Sequence, residues 1–154
     1  MTEITLKPIG FVRNTRLGLD DDDWGEVVSE IRLDATLPVE SLAGVETFSH
    51  VEIIFYFDQV AGDKDIPASR RPRGNPEWPQ VGIFAQRNKD RPNHLGLTIV
   101  RIVKCEGRSL FVKGLDAVDG TPVLDIKPIF AEFLPDEPIR QPGWSHELME
   151  HYWG

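Results

Sequence analysis

At 154 residues, with 40% hydrophobic and 27% charged side chains, the chain has the size and make-up of one domain that buries roughly two thirds of its surface. A formal charge of −8 excludes a protein that coats nucleic acid indiscriminately, and no segment reaches the ~20 apolar residues of a membrane-spanning helix. Cys105 is the single cysteine, which excludes an internal disulfide and Cys-x-x-Cys zinc sites; lying in an apolar run, it is expected in the core.

The opening MTEITLKPIG has neither the apolar core of a signal peptide nor the basic, serine-rich character of a transit peptide, and a cytoplasmic address is expected by default. Ile4 to Val12 then begins a strand with mixed alternation, and Glu26 to Leu33 alternates more cleanly. Between them Asp20 to Asp23 lacks the alternating ligands and glycine of an EF-hand loop and reads as a solvated turn. Pro38 to Val45 allows two helical turns. Phe48 to Phe57 (FSHVEIIFYF) is β-branched and aromatic throughout, as a central strand should be. Arg70 to Pro79 (RRPRGNPEWP) is loop by composition, either a plain mobile connector or a lid whose three arginines meet anionic groups and whose Trp78 stacks on a base.

Leu97 to Cys105 and Ser109 to Val112 flank Glu106-Gly107-Arg108, the spacing of a hairpin. Arg108, in that turn, reads as solvent-exposed. Asp119-Gly120 marks a tight turn, and Thr121-Pro122 starts a strand to Ile126. Near the end, Ser145 could cap a short helix, HELMEHY. Many short strands, many turn signals and little helix point to a mainly β protein, a small barrel or a sandwich.

Charge is unevenly spread. Lys64 to Arg91 holds seven cations against three anions, a local +4 that leaves −12 on the remainder. A basic island on an acidic body steers an anionic partner to one place. No glycine-rich dinucleotide loop, P-loop or GxSxG elbow is present. His146 and His151 are five apart, off one helical face, and His50 and His94 have no close carboxylate or thiol companion, so no metal site is expected. In GIFAQRNKDRPNHLGLT (Gly82 to Thr98), Pro92 restricts Arg91 to extended geometry and Asn93 can close a turn. Arg87 and Arg91 are thereby expected as fixed cationic donors at a ligand cleft. Asp116 and Asp119, in GLDAVDGTPVLDIKP, either hold polar groups of a ligand or belong to a plain hairpin.

Gly82-Ile83-Phe84-Ala85-Gln86-Arg87, Arg91-Pro92-Asn93, Leu95-Gly96-Leu97, Gly114-Leu115-Asp116 and Asp119 to Pro128 together resemble the signature of the TrmO family, also called TsaA-like or YaeB-like. Pro8 to Arg13 and Phe48-Ser49-His50 fit it in order, and the resemblance covers about Ile4 to Leu134. It implies one domain over residues 1–154, a small single-sheeted β-barrel with a few short helices, and usually a homodimer; no C-terminal extension of the kind longer members carry is expected. It also implies S-adenosylmethionine as cofactor and methylation of the exocyclic nitrogen of threonylcarbamoyl-adenosine beside a tRNA anticodon. The alternatives are a same-fold methyltransferase of a small molecule or another RNA, and a non-enzymatic S-adenosylmethionine-binding module.

By position, Asn14, Thr15, Arg16, Ser49, His50, Phe84, Arg87, Leu115, Asp116, Ala117 and Val118 match stretches that contact the cofactor, while Asp119 and Arg91 are the candidates for catalysis. Arg87 and Arg91 suit a carboxylate on cofactor or substrate. Asp116 and Asp119 suit ribose hydroxyls or the proton of the attacking nitrogen. Asn88, His94 and Thr98 depart from the family pattern beside the expected site, as does Gln80.

Overall fold

The computed structural model describes residues 2–60 and 65–154, so Lys64, the first cation of the basic island, lies outside the described residues. In chain order the strands are β1 (Gly10–Arg13), β2 (Val28–Leu33), β3 (His50–Tyr56), β4 (Ser69–Arg70), β5 (Val81–Gly82), β6 (Leu95–Glu106), β7 (Ser109–Lys113) and β8 (Pro122–Pro128). Six of them close an antiparallel barrel in the order β1-β2-β7-β6-β3-β8, and β4 and β5 pair apart as a two-stranded ribbon. Between the barrel and the sandwich that the strand pattern allowed, the chain therefore forms the barrel. Closure is made by β1 against β8, through Gly10–Val123 and Phe11–Pro122.

Period-two alternation aims one face of each strand inward. On β3, Val51, Ile53 and Phe55 are buried, and they meet Val12, Ile31, Val100, Leu110, Val112 and Val123 in one core. β3 pairs with both β6 and β8, the central place its composition called for. Gly96 is required here: a Cβ at that position would lie 2.4 Å from the Phe55 ring. The β6–β7 hairpin turns through Gly107, whose φ of 56° glycine adopts without steric cost.

Other expectations are corrected. Residues 4–9 are not a strand, because Ile4 and Leu6 have no sheet to cover them and remain exposed. The Pro38–Val45 segment makes two 3₁₀ turns, Val39–Leu42 and Val45–Thr47, with the left-handed Gly44 between them. The terminal helix α1 (Gly143–Leu148) starts at Pro142, and Ser145 lies inside it, its hydroxyl donating back to the Pro142 carbonyl. Cys105 is half-buried against the core, and its partial burial beside Glu46 raises its thiol pKa. Arg108 is not free in its turn: its guanidinium donates to the carbonyls of Asp34 (3.2 Å) and Leu37 (2.5 Å).

Two surfaces remain apolar and open to solvent. Leu95, Leu97 and Ile99 point outward from β6, and the stretch from 130 to 143 is exposed throughout, with Phe133 at 85%.

Candidate functional site

One cleft of about 490 Å³ opens at the end of the barrel where β3 finishes and β6 begins. Phe55 and Phe57 form its floor; Arg87 and Asn88 of the basic turn, Thr98 of β6, and Asp116 to Val118 stand around it. Trp24 and the terminal residues Trp144, Leu148, Met149, Tyr152 and Trp153 complete the wall. This is the mixture expected of a small-molecule site: apolar and aromatic lining with a few convergent polar groups.

The basic turn has little backbone ladder of its own, so side chains satisfy its carbonyls. Gln86 is buried and its amide donates to Arg70 O (3.0 Å) and Val81 O (3.1 Å), bolting the turn to the β4–β5 ribbon. With the Gln86 amide so oriented, its Oε1 accepts from Asn88 Nδ2 at 3.2 Å. Arg91 donates to Gln86 O (2.8 Å) and Asn88 O (3.3 Å). His94, buried and at φ 49°, donates from Nδ1 to Lys89 O at 3.1 Å. Arg70 pairs with Asp90 at 3.2 Å. Arg87 is the exposed cation of the turn that lines the cleft, with one amine on Leu97 O at 2.6 Å.

In the same cleft, Asp116 is half-buried, accepting from Thr98 Oγ1 at 2.5 Å and from the Tyr152 hydroxyl. Burial first, and then the adjoining Asp116 charge, drive the Tyr152 pKa upward, which keeps the phenol protonated. Near the rim, Arg16 stacks over Trp24 at 3.9 Å and donates to the carbonyls of Asp22 and Asp23, both at 2.9 Å. Arg73 reaches Asp22 at 3.0 Å, so the acidic turn is a surface turn that also clasps the arginine loop.

The sequence-predicted residues divide into three groups. Arg87, Asp116, Ala117 and Val118 come together at the cleft. Asn14 and Asp119 lie beside it around a shallow depression: Asp119 accepts the Asn14 N–H at 2.9 Å, while the Asn14 amide donates to Ala117 O and Ser29 Oγ. Thr15 and Arg16 continue that strip, with Arg16 O accepting from the Asp119 amide at 2.7 Å. Leu115 is fully buried in the barrel core. Elsewhere, Ser49 and His50, bonded to each other at 2.6 Å, occupy the far end of β3, roughly 16 Å from Phe55 at ~3.3 Å per residue. Phe84 points to solvent at 80% exposure, and Arg91 braces the turn from behind the cleft surface.

Sequence reasoning missed Trp24 and the terminal segment as parts of the wall. A signal was present: two of the four tryptophans and a tyrosine fall in the last eleven residues. Three of the four tryptophans line the cleft, and the other, Trp78, donates to Glu147 of α1 at 2.7 Å. Trp78 is therefore engaged within the fold. Among the described residues, no three His, Cys, Asp or Glu side chains converge as a metal site would require.

Comparison with known proteins places the chain in a family. The tRNA-methyltransferase O N-terminal domain family matches residues 22–134. A human tRNA (adenine(37)-N6)-methyltransferase is 39% identical over 105 residues, covering 68% of this chain and 23% of its own. A Methanothermobacter thermautotrophicus protein named "Probable S-adenosyl-L-methionine-binding protein" is 32% identical over 135 residues, 84% of this chain and 93% of its own. The crystal structure of TrmO from Pseudomonas aeruginosa superposes with a TM-score of 0.75 at 29% identity, over 94% of this chain and 62% of that one. The chain spans about a quarter of the length of its mammalian relatives.

Proposed function

Because the chain belongs to the tRNA-methyltransferase O N-terminal domain family, we propose that it is an S-adenosylmethionine-dependent methyltransferase acting on adenosine 37 of a tRNA, at the exocyclic nitrogen of threonylcarbamoyl-adenosine. The observation that carries this reading is the gathering of Arg87 and Asp116 in one aromatic-lined cleft of about 490 Å³, within the roughly 300–1,000 Å³ of small-molecule sites. When bound there, the cofactor supplies a methyl group on a sulfonium, a leaving group that needs no activation by the protein. The chain's task is then to orient two partners and keep water out.

In this reading Asp116 takes the ribose hydroxyls and Arg87 a carboxylate, which both the cofactor and the threonylcarbamoyl group carry. Trp24 and the terminal aromatics enclose the adenine. Arg91 stiffens the turn that presents Arg87 instead of touching the reacting atoms, since its guanidinium already serves two carbonyls. Asp119 fixes Asn14 and the strip that follows it. Arg70, Arg71 and Lys89 line the approach for the tRNA backbone, a local attraction on a body that otherwise repels phosphate. The protein works as a cytoplasmic homodimer without a metal, and the exposed stretch from 130 to 143, with Phe133, offers apolar area for the twofold contact.

The test incubates purified protein with S-adenosylmethionine and tRNA carrying threonylcarbamoyl-adenosine, and reads the nucleosides by mass spectrometry. A single added methyl on that nucleoside is expected. Cofactor binding without any methylated nucleoside would move the reading to another acceptor, and light scattering at a monomer mass would remove the dimer.

A further inference from the structure

The Asp116 carboxylate is gripped from two directions. Thr98, on β6, donates to Oδ1, and Tyr152, 36 residues further along the chain, donates to Oδ2. The phenol arrives there because the segment that carries it is fastened independently. Three successive amides, of Asp23, Trp24 and Gly25, donate to three successive carbonyls, of His151, Tyr152 and Trp153, at 3.0, 2.8 and 3.0 Å. Gly25 permits this approach: a Cβ there would lie 2.1 Å from the Trp153 oxygen. The Trp78–Glu147 bond holds the other end of the segment.

The segment is a wall and not a plug, since the cleft keeps about 490 Å³ with Tyr152 in place. A carboxylate offers about four lone-pair sites. Two are taken by the hydroxyls, and each oxygen retains one for an incoming donor. A vicinal diol, such as the two hydroxyls of a ribose, matches that pair.

We propose that Tyr152 is a positioning residue: with Thr98 it locks the Asp116 carboxylate in the orientation that receives the ribose diol, which makes the C-terminal segment part of the cofactor site. This rests on the reading of the cleft as an S-adenosylmethionine site. Removing the phenol hydroxyl leaves Asp116 held by Thr98 alone, with Oδ2 less fixed before binding, and ordering one such side chain corresponds to roughly two- to tenfold in affinity. The hydroxyl remains a donor at every ordinary pH, because burial and the Asp116 charge oppose its ionisation.

Calorimetric titration with S-adenosylmethionine of the wild type, Tyr152→Phe, Asp116→Asn and the double variant tests it, with affinities followed into the millimolar range. The expected result is a two- to tenfold loss in Tyr152→Phe at unchanged circular dichroism, and no further loss when the same change is made in Asp116→Asn. Equal affinity of Tyr152→Phe and wild type overturns the proposal. So does an equal loss in both backgrounds, which would mean that the hydroxyl supports the fold and does not act through Asp116. A wild type that binds no S-adenosylmethionine overturns the cofactor reading itself, and the positioning role with it.

Discussion

The basic turn at the cleft and the Asp116 segment that also lines it carry opposite charge and are held in different ways. On the basic side the guanidinium of Arg91 is turned inward onto backbone carbonyls, Arg70 pairs with Asp90, and only Arg87 of the turn's arginines faces the cleft. Asp116, by contrast, is held by two neutral hydroxyls, which leave each of its oxygens a further lone pair. An arginine has five donors and no acceptor, so a turn with unpaired carbonyls absorbs it readily. A carboxylate held by hydroxyls keeps its charge for a ligand. Two arginines four residues apart are thus held differently, Arg91 on two carbonyls of its own turn and Arg87 on one carbonyl of β6.

That contrast breaks most visibly at Arg91. Arg91→Ala should lower stability by about 1–3 kcal/mol, because the Gln86 and Asn88 carbonyls lose a charged donor; urea denaturation reads the change in midpoint. Arg87→Ala should do the reverse, weakening S-adenosylmethionine or substrate binding by roughly five- to tenfold while moving the melting temperature little. If Arg91→Ala proves as stable as wild type and inactive, the two arginines have been assigned the wrong way round. The acidic wall is sharpened by alkaline titration. Tyr152 has a raised pKa when folded, so stability should hold below its unfolded value near 10 and fall as pH rises beyond it; Tyr152→Phe should lose that slope. Arg140→Ala, at an exposed position in the stretch after β8, should change stability by under ~0.5 kcal/mol and serves as the silent control that Arg108 cannot be.

The sequence made the sheet legible wherever one local rule sufficed. Alternation and a β-branched run set β3, Glu106-Gly107-Arg108 set the β6–β7 hairpin, and Asp119-Gly120 set the turn into β8. The site was legible in part. Arg87 and Asp116 to Val118 are drawn together by the barrel, whereas the partners that decide how each charge is used are remote in sequence: Asp116 meets a residue 36 positions away and Arg108 meets carbonyls more than 70 positions away. The terminal aromatics carry no local rule for where they pack, and Trp144, Tyr152 and Trp153 line the cleft of their own chain. Their destination depends on Gly25, whose missing side chain matters only once Trp153 has arrived. Composition contains no trace of such an encounter.

The closure between β1 and β8 has a mechanical meaning. Its ladder pairs two positions, where β3 and β6 pair seven, and one of the two holds Pro122, which has no N–H to give. A cylinder with one short seam parts along that seam. Native-state hydrogen exchange should find the amides of Ile9 and Val12, which donate across the seam to the Val123 and Thr121 carbonyls, released in small fluctuations that leave β3 protected, the barrel unrolling as a sheet whose free edges are β1 and β8. Since Asn14, Asp119 and the strip beside the cleft lie next to that line, breathing of the barrel and reshaping of the cleft rim are one motion.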